Sequence, residues 1–338
     1  MSERVLEVIG ENFNATRRLK ITNPRVVHEA GKVGVSYAGP DGATRLMDIT
    51  DIYPTDPAKL RVFQIPHVAH AVRRKDLDYI AWLINAQTAA GANIIDLCVD
   101  EIAVDPEVRH QTMAWLVPVA QKITDAVIAI DSSDPETIMT GLRAHDGSRS
   151  RPAINSVNLE DGRQDLIKEA KARNALLFAN ASGRDGMPKN EHERVENLEE
   201  LMRLMDAAGI EMTDRYLDPL AFPASTGGEF GSHYLEAVRE IRRRYPQVHI
   251  FGGHSNASFG LPQRKVVNNA FIILSVLAGC DTLMIDPVQN PAKDYAEFKL
   301  ASDLILGRDE NAMRYMMALR NPSPAGGGAK QALRTGTR

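Results

Sequence analysis

The segment VHIFGGHSNASFGLPQRKVVNNAFIILSVLA, residues 248–278, combines a short apolar run, a polar loop and an apolar-periodic stretch. The run Val248–Phe251 predicts a strand, and Arg264–Ala278 predicts a helix. The loop starts with GGHSN at positions 252–256. Its two glycines allow a sharp turn and the close approach of a ligand. Its three polar side chains exceed what a turn requires, so we interpret the loop as the floor of a binding site.

The same order of strand, loop and helix repeats from residue 76 onwards. Most of the strands are continuous apolar runs, as expected for a parallel sheet buried on both faces. About eight strands alternating with about eight helices favour a (β/α)8 TIM barrel. A doubly wound sheet is the alternative, but GENFN at 10–14 is not the glycine-rich phosphate loop that it would need. The predicted strands cover residues 5–9, 93–99, 126–130, 151–156, 175–180, 215–219, 248–251 and 281–286, and the predicted helices cover 76–90, 107–124, 135 onwards, 162–173, 193–208, 231–245, 264–278 and 292–306.

Residues 17–66 interrupt this repeat and predict an insertion after the first strand. Lys32–Tyr37 and Ala43–Ile49 read as two strands, and Gly39-Pro-Asp-Gly42 between them is typical of a β-hairpin turn. The insertion could serve as a lid, a dimer contact or a docking surface. We expect a barrel domain over residues 1–310, and a helix end followed by a disordered tail over residues 311–338.

Composition and charge limit the function. The 338 residues are 43% hydrophobic with a net charge of −4, which argues against a nucleic-acid or anionic-membrane surface. No apolar run is long enough to span a bilayer, and the N-terminus does not read as a signal peptide. Cys98 and Cys280 lie in apolar contexts, so reduced thiols and a cytoplasmic location are expected. His67 and His70 predict a capped helix start rather than a metal site, and we expect no metal.

Nearly every predicted strand ends in a carboxylate or carboxamide. Each such residue could by itself be an N-cap or turn residue. In a barrel, however, the carboxyl ends of the strands meet at one face, where the active site lies. A ring of amides and carboxylates suits a flat heterocycle with alternating hydrogen-bond donors and acceptors. The residues are Asn12, Asn14, Asp96, Asp131, Asn155, Asn180, Asp218, Ser255, Asn256 and Asp286.

The order of these motifs resembles the pterin-binding barrel superfamily. That superfamily includes dihydropteroate synthase, the methyltetrahydrofolate:corrinoid/iron-sulfur protein methyltransferases and the folate domain of cobalamin-dependent methionine synthase. The methyltransferase branch is the more similar, because Ser255-Asn256 stands where dihydropteroate synthase carries a lysine, and Arg264 stands where the methyltransferases carry an arginine. The matching pieces are IGENFN at 9–14, IDLCV at 95–99, IDSSDP at 130–135, AINSVN at 153–158, YLDPL at 216–220, GHSNAS at 253–258 and NNAF at 268–271.

The resemblance implies a role for each site residue. Asp131, Asn155 and Asp218 would bind the pterin ring. Asn256 would hydrogen-bond near N5 of the pterin and, with Asp218, act as a catalytic residue that supports protonation there. Further pterin or folate contacts would come from Ser255, Asp96, Asn14, Glu11 and Arg264. Cys98, beside these residues, is more simply read as a buried structural cysteine.

The implied function is methyl transfer between N5 of tetrahydrofolate and the cobalt of a corrinoid. The chain lacks an Asp-x-His-x-x-Gly corrinoid signature, so the cobalamin or other corrinoid would be carried by a partner protein. The resemblance also implies a homodimer. Two alternatives stay open: a condensation like that of dihydropteroate synthase, and a non-catalytic pterin-binding protein.

Overall fold

The computed structural model describes residues 5–320, which contain three β-sheets. Eight parallel strands make the largest sheet, three antiparallel strands the second, and two short antiparallel strands the third. In chain order the strands are β1 (Glu7–Asn14), β2 (Leu19–Lys20), β3 (Val26–Glu29), β4 (Lys32–Ala38), β5 (Thr44–Asp48), β6 (Gln64–Ile65), β7 (Ile94–Cys98), β8 (Val127–Asp131), β9 (Pro152–Val157), β10 (Leu176–Asn180), β11 (Arg215–Asp218), β12 (His249–Ile250) and β13 (Thr282–Ile285).

The eight parallel strands form a (β/α)8 barrel. Their order is β12-β11-β10-β9-β8-β7-β1-β13, so each new strand from β7 to β12 lies beside the previous one. A parallel bridge between Gly253 and Met284 joins the two ends of the sheet. The backbone N–H of Ile250 also donates to the Asp281 carboxylate at 2.8 Å across this junction. The predicted barrel is therefore confirmed, and the doubly wound sheet is excluded.

Helices cover the outside of the barrel close to their predicted positions. Asp76, Asp105 and Asp134 cap three of them by accepting backbone N–H groups of the first turn. The helix predicted at residue 162 begins later, at Asp165, and Gly162 has a φ of +82°. In chain order the helices are α1 (Pro57–Leu60), α2 (His67–Arg74), α3 (Leu77–Ala89), α4 (Pro106–Ile123), α5 (Pro135–Ala144), α6 (Asp165–Arg173), α7 (Glu191–Ala207), α8 (Phe230–Arg244), α9 (Arg264–Ala278), α10 (Ala292–Ile305) and α11 (Met313–Arg320).

Apolar side chains fill the interior of the barrel. The aromatic ring of Phe178 lies 5.0 Å from that of Tyr216 and 5.1 Å from that of Phe251. Towards the amino-terminal ends of the strands, the Tyr216 hydroxyl donates to Glu7 at 2.6 Å. A ligand can therefore enter only from the opposite, carboxyl-terminal face. The buried interior residues are Ile9, Ile94, Ala129, Ala153, Leu176, Phe178, Tyr216 and Phe251.

Residues 17–66 form the predicted hairpin, three further strands (β2, β3 and β6) and the short helix α1. Strands β4 and β5 pair through a turn in which the N–H of Gly39 donates to the carbonyl of Ala43 at 2.8 Å. Strand β3, which the sequence analysis missed, completes the antiparallel sheet beside β4. Arg25 anchors this sheet to α3: its guanidinium lies 4.3 Å from the Trp82 ring centre and donates to the Tyr79 hydroxyl at 2.7 Å.

Helix α2 begins at His67, as predicted, but no side chain caps it. His67 instead hydrogen-bonds the Tyr79 hydroxyl through Nδ1 at 2.9 Å, and His70 bonds the Asp48 carbonyl through Nε2 at 2.9 Å. His70 therefore ties the insertion to α2, and His67 ties α2 to α3. The strand predicted at 5–9 also extends further, to Asn14, with a register shift between Gly10 and Phe13.

Within residues 5–320, no helix is both long and apolar enough to cross a membrane. Across the same residues, no three His, Cys, Asp or Glu side chains are grouped so that they could hold a metal ion. The tail predicted to be disordered lies beyond Arg320, outside the described residues.

Candidate active site

A polar layer lies directly above the apolar interior of the barrel. Side chains two residues apart on a strand point to the same side, so the residue two positions after an interior residue also faces inward. Strand register places Asp131 beside Asn155, and Asn180 beside Asp218. The apolar and polar pairs are Ile94 and Asp96, Ala129 and Asp131, Ala153 and Asn155, Phe178 and Asn180, Tyr216 and Asp218, and Met284 and Asp286.

Asp96, Asp131 and Asn155 form one side of this layer, on three adjacent strands. The Asn155 side-chain N–H donates to Asp96 Oδ1 at 2.9 Å. Asp96 is only 1% exposed, and its Oδ2 has no hydrogen-bond partner among the described residues. A buried carboxylate oxygen without a partner is costly unless a ligand satisfies it. Its chemistry suits a donor N–H from a polar heterocycle.

Burial changes the acidity of this pair of carboxyls. It raises the pKa of Asp131 to about 7, with a further contribution from the nearby Asp100 carboxylate. Burial and the charge of Asp131 also raise the pKa of Asp96 well above its usual value. Two adjacent buried carboxyls cannot both ionise easily. The pair therefore retains a proton near neutral pH in the ligand-free protein.

Asp218 and Asn180 lie across the barrel from that pair. The backbone N–H of Leu220 donates to Asp218 Oδ1 at 2.8 Å. Burial raises the pKa of Asp218 to about 7, although this N–H and the Arg194 charge oppose the increase. Asn180 has both ends of its amide engaged, donating to the Ser156 hydroxyl at 2.7 Å and accepting from the Ser182 N–H at 3.0 Å. Asp218 is therefore the more available group for a ligand.

The loop after β12 is held on both sides, while Asn256 stays free. On one side the Ser255 hydroxyl donates to Glu11 at 3.3 Å. On the other, the N–H of Ala224 donates to the Ala257 carbonyl at 3.0 Å. Arg264 also holds the loop, because its Nη2 donates to the Ser255 carbonyl at 2.8 Å. The exposed Asn256 carboxamide has no hydrogen bond to any described residue.

The Asn256 carboxamide lies close to Gly253, where this loop leaves the strand. A Cβ at Gly253 would lie 2.9 Å from Asn256 Nδ2. The Asn256 amide therefore folds back over Gly253. His254 points elsewhere: it is fully buried, with its ring 5.7 Å from that of Phe271. Burial lowers the pKa of His254 to about 4, so it is neutral and part of the packing.

A polar network closes the site where β1 meets β13. Arg17 pairs with Glu11 at 2.8 Å and with Asp286 at 3.4 Å, and Asn12 Nδ2 donates to Asp286 at 2.9 Å. Burial raises the pKa of Glu11, and the Arg17 charge opposes this increase. Asn14 accepts the N–H of Thr16 at 2.9 Å and so shapes the turn. Asn12 Oδ1 is buried and unpartnered within the described residues, which leaves an acceptor for a ligand.

Three residues that support this site gave no recognisable signal in the sequence. Arg17 bridges two carboxylates from opposite ends of the chain. Asp100 orders the loop after β8 by accepting from the Ser132 hydroxyl at 2.5 Å and the Ser133 N–H at 2.7 Å. Arg163 donates to carbonyls of the loop after β8 and, at 2.8 Å, to the Ser156 carbonyl near the end of β9.

Cys98 borders the site as a packed side chain. It is the last residue of β7, 5% exposed, and it pairs in register with Asp131. Burial, with the charges of Asp131 and Asp100, raises the pKa of its thiol well above the usual value. The thiol is therefore neutral, as expected of a buried structural cysteine.

Known proteins resemble this chain in sequence and in fold. A methylcorrinoid:tetrahydrofolate methyltransferase of Eubacterium limosum is 30% identical over 260 residues, which cover 76% of this chain and 92% of that protein. Methionine synthase of Mycobacterium tuberculosis is 31% identical over 212 residues, 59% of this chain but only 17% of that larger protein.

Two solved structures show the same fold at low sequence identity. Yersinia pestis DHPS, solved with a pterine-sulfa conjugate, matches with a TM-score of 0.55 and 15% identity over 68% of this chain and 90% of that one. A dihydropteroate synthase from Coxiella burnetii, solved with pteroic acid, matches with a TM-score of 0.52 and 13% identity over 90% of this chain and 95% of that one.

A family model described as pterin binding enzyme matches residues 68–286, from α2 to the polar residue that follows β13. This range contains most of the polar layer and the loop that carries Asn256. The chain belongs to the family of pterin-binding enzymes.

Proposed function

We propose that this protein transfers a methyl group between N5 of tetrahydrofolate and the cobalt of a corrinoid carried by a partner protein. The observation that carries the proposal is the polar layer at the mouth of the barrel, with unpartnered Asp96 Oδ2 below and the free Asn256 amide at the rim. The relative named as a methylcorrinoid:tetrahydrofolate methyltransferase supports it over nearly its full length.

The Asp96, Asp131 and Asn155 side would hold the aminopyrimidine end of the pterin. A carboxylate accepts two N–H donors from such an edge, and a carboxamide pairs with both a donor and an acceptor. The apolar floor formed by Phe178 and its neighbours lies beneath the layer and excludes water from the ring. Together these residues orient the substrate so that N5 faces the rim of the site.

Asn256 and Asp218 would act at N5. Departure of the methyl group from N5 is easier when this nitrogen is protonated, because N5 then leaves as a neutral amine, whereas unprotonated N5 would have to leave as an amide anion. The Asn256 amide would strengthen its hydrogen bond as charge changes at N5, which stabilises the transition state more than the bound substrate. Because burial raises the pKa of Asp218 to about 7, this carboxyl can hold a proton near N5 at neutral pH.

The rim would bind the remainder of the folate and face the partner. In the loop that carries Asn256, Ser255 bonds both Glu11 and Arg264. Asn14 shapes the neighbouring turn. The corrinoid on the partner protein would supply the cobalt atom that gives or receives the methyl group. We also propose that the protein is cytoplasmic and forms a homodimer, and light scattering of the purified protein tests the dimer.

Mixing the purified protein with methyltetrahydrofolate and cob(I)alamin, while recording the corrinoid spectrum, tests the reaction. We expect methylcobalamin to form, and the reverse reaction to occur with methylcobalamin and tetrahydrofolate. Tight tetrahydrofolate binding with no methyl transfer in either direction would refute the proposal. Pteroate formation from a pterin pyrophosphate and aminobenzoate would instead identify a dihydropteroate synthase activity.

Asn256→Ala tests the role at N5. We expect turnover to fall about 100-fold, while the affinity for tetrahydrofolate changes by no more than about threefold, because the amide acts mainly in the transition state. Asn85→Ala is a matched control, since Asn85 is an exposed asparagine on α3, and it should behave like the wild type. Equal losses of turnover and affinity in Asn256→Ala would contradict a transition-state role.

A further inference from the structure

Strand β1 contains a bulge directly beside the candidate site. Between Gly10 and Phe13 this strand advances by three residues, where its partner β7 advances by two. Glu11 and Asn12 therefore lie together opposite Asp96. A β-bulge of this kind leaves one residue out of the hydrogen-bond ladder and changes the direction in which side chains point.

The side chains before and after the bulge show its effect. Ile9 lies in the interior of the barrel, whereas Phe13 packs in the larger core that also contains Ile84 of α3. Residues four positions apart on a regular strand would point to the same side of the sheet. The bulge reverses the alternation between them, and this allows Glu11 and Asn12 both to reach the polar layer.

Gln87 of α3 holds the bulge in place. It is 0% exposed, and its Oε1 accepts the backbone N–H of Asn12 at 2.9 Å, while its Nε2 donates to the Leu83 carbonyl at 3.2 Å. A Cβ at position 10 would lie 2.5 Å from Gln87 Oε1, so Gly10 gives the glutamine room to reach the strand. Gln87 therefore satisfies the N–H that the bulge takes out of the ladder.

The Asn12 carboxamide is oriented by Asp286. Its Nδ2 donates to Asp286 Oδ1 at 2.9 Å. A carboxylate only accepts hydrogen bonds, so the amide oxygen must be the end that points away from Asp286. This residue is 9% exposed, and its Oδ1 is buried without a hydrogen-bond partner among residues 5–320. A buried acceptor without a donor is costly, which indicates that a ligand supplies the donor.

The order of the strands indicates which part of the substrate this donor belongs to. Strand β1 lies between β7 and β13. In the proposed function, β7 to β9 hold the aminopyrimidine end of the pterin, and the loop of Asn256 beside β13 acts at N5. An acceptor between these two regions faces the pyrazine ring. That ring carries N–H groups at N5 and N8 in tetrahydrofolate, and at neither nitrogen in folic acid.

We propose that Asn12 is a substrate-binding residue that recognises the reduced pterin, because its buried, outward-turned Oδ1 accepts an N–H of the pyrazine ring, and that Gln87 is the positioning residue that fixes Asn12. The inference rests on the proposed function, from which it takes the orientation of the pterin. It adds a selectivity, since an oxidised folate offers no donor to Asn12 Oδ1.

The affinities for tetrahydrofolate and folic acid, measured by anaerobic calorimetry, test the role of Asn12. We expect the wild type to prefer tetrahydrofolate, and Asn12→Ala to lower this preference about tenfold, because a buried hydrogen bond is lost only with the reduced ligand. Asn85→Ala, which changes an exposed asparagine of α3, is the control and should keep the preference of the wild type. An Asn12→Ala variant with the same preference as the wild type overturns the inference.

Gln87→Met tests the positioning role, because it removes the acceptor of the Asn12 N–H. The preference for tetrahydrofolate should fall about threefold. Gln87→Glu should restore it, since a protonated carboxyl can accept this N–H and donate to the Leu83 carbonyl. Gln121→Met is the matched control: Gln121 is 3% exposed and accepts the N–H of Asp146 at 2.9 Å, before β9 at the opposite end of the barrel. An equal fall in Gln121→Met would contradict a positioning role for Gln87.

If Asn12→Ala does not fold, the wild type provides the test instead. The carboxamide ¹³C resonance of Asn12 should shift when tetrahydrofolate binds and stay in place when folic acid binds. A resonance that responds equally to both ligands, or to neither, overturns the inference. No corrinoid is involved, so the two proposals fail separately. A wild type that binds no tetrahydrofolate refutes the proposed function, whereas tight binding with an unchanged preference in Asn12→Ala refutes only the role of Asn12.

Discussion

Asp218→Asn should make the protein more stable at alkaline pH while damaging its proposed chemistry. Burial raises the pKa of Asp218 from 3.8 to about 7, so ionisation of this carboxyl favours the unfolded chain. A shift of about three pH units corresponds to about 4 kcal/mol of unfolding free energy when the group is fully ionised. The penalty is absent below pH 3.8, increases between pH 3.8 and 7, and is constant above pH 7.

An asparagine at 218 can still accept the Leu220 N–H, but its amide N–H₂ group lies near the Arg194 charge. We therefore expect a gain of about 2–4 kcal/mol at pH 8, and a gain smaller by about 3 kcal/mol at pH 4.5, where only the first part of the ionisation penalty has developed. Denaturant unfolding followed by circular dichroism at both pH values measures the difference. Asp161→Asn, which removes an exposed carboxylate, is the matched control and should change the stability little at either pH.

Two outcomes would refute this reasoning. The first is an Asp218→Asn variant that is less stable than the wild type at pH 8. The second is a gain of the same size at pH 4.5 and pH 8, because a pH-independent gain cannot arise from ionisation. If the gain appears as expected and methyl transfer is lost, Asp218 is kept for function at the expense of stability.

Two further predictions concern the loop of Asn256 and the paired carboxyls. Gly253→Ala places a Cβ 2.9 Å from Asn256 Nδ2 and displaces the amide, so turnover should fall about tenfold while the tetrahydrofolate affinity stays nearly unchanged. Gly231→Ala is the control and should match the wild type, because a Cβ there meets nothing within 4 Å. A Gly253→Ala variant as active as the wild type would contradict the assigned position of Asn256. Tetrahydrofolate affinity should fall as the pH drops through about 7, because burial raises the pKa of Asp131 to that value and only the carboxylate accepts two N–H donors. Calorimetry of Asp131→Asn should show weaker binding that no longer depends on pH in this range. If the pH dependence of the affinity persists in Asp131→Asn, another group causes it.

Local patterns predicted much of the fold because they depend on neighbours along the chain. The 3.6-residue periodicity placed α9 at Arg264–Ala278, where the structure has it, and the turn GPDG placed the β4–β5 hairpin. The polar layer was also predictable, since a polar residue that ends an apolar strand must lie at the carboxyl-terminal face of a barrel. The missed strand β3 has a weak apolar pattern of its own and is stabilised by pairing with β4.

The sequence by itself therefore determined the (β/α)8 barrel and the residues that line its mouth, because strand alternation, helix periodicity and turn chemistry are local properties. Only the tertiary structure decided how those residues are partnered and charged. Arg17 reaches Asp286, 269 positions away, and Asn155 donates to Asp96, 59 positions away. Burial and distances in space determine these interactions and the raised pKa values. Neither can be predicted from the sequence, because the residues concerned are far apart along the chain.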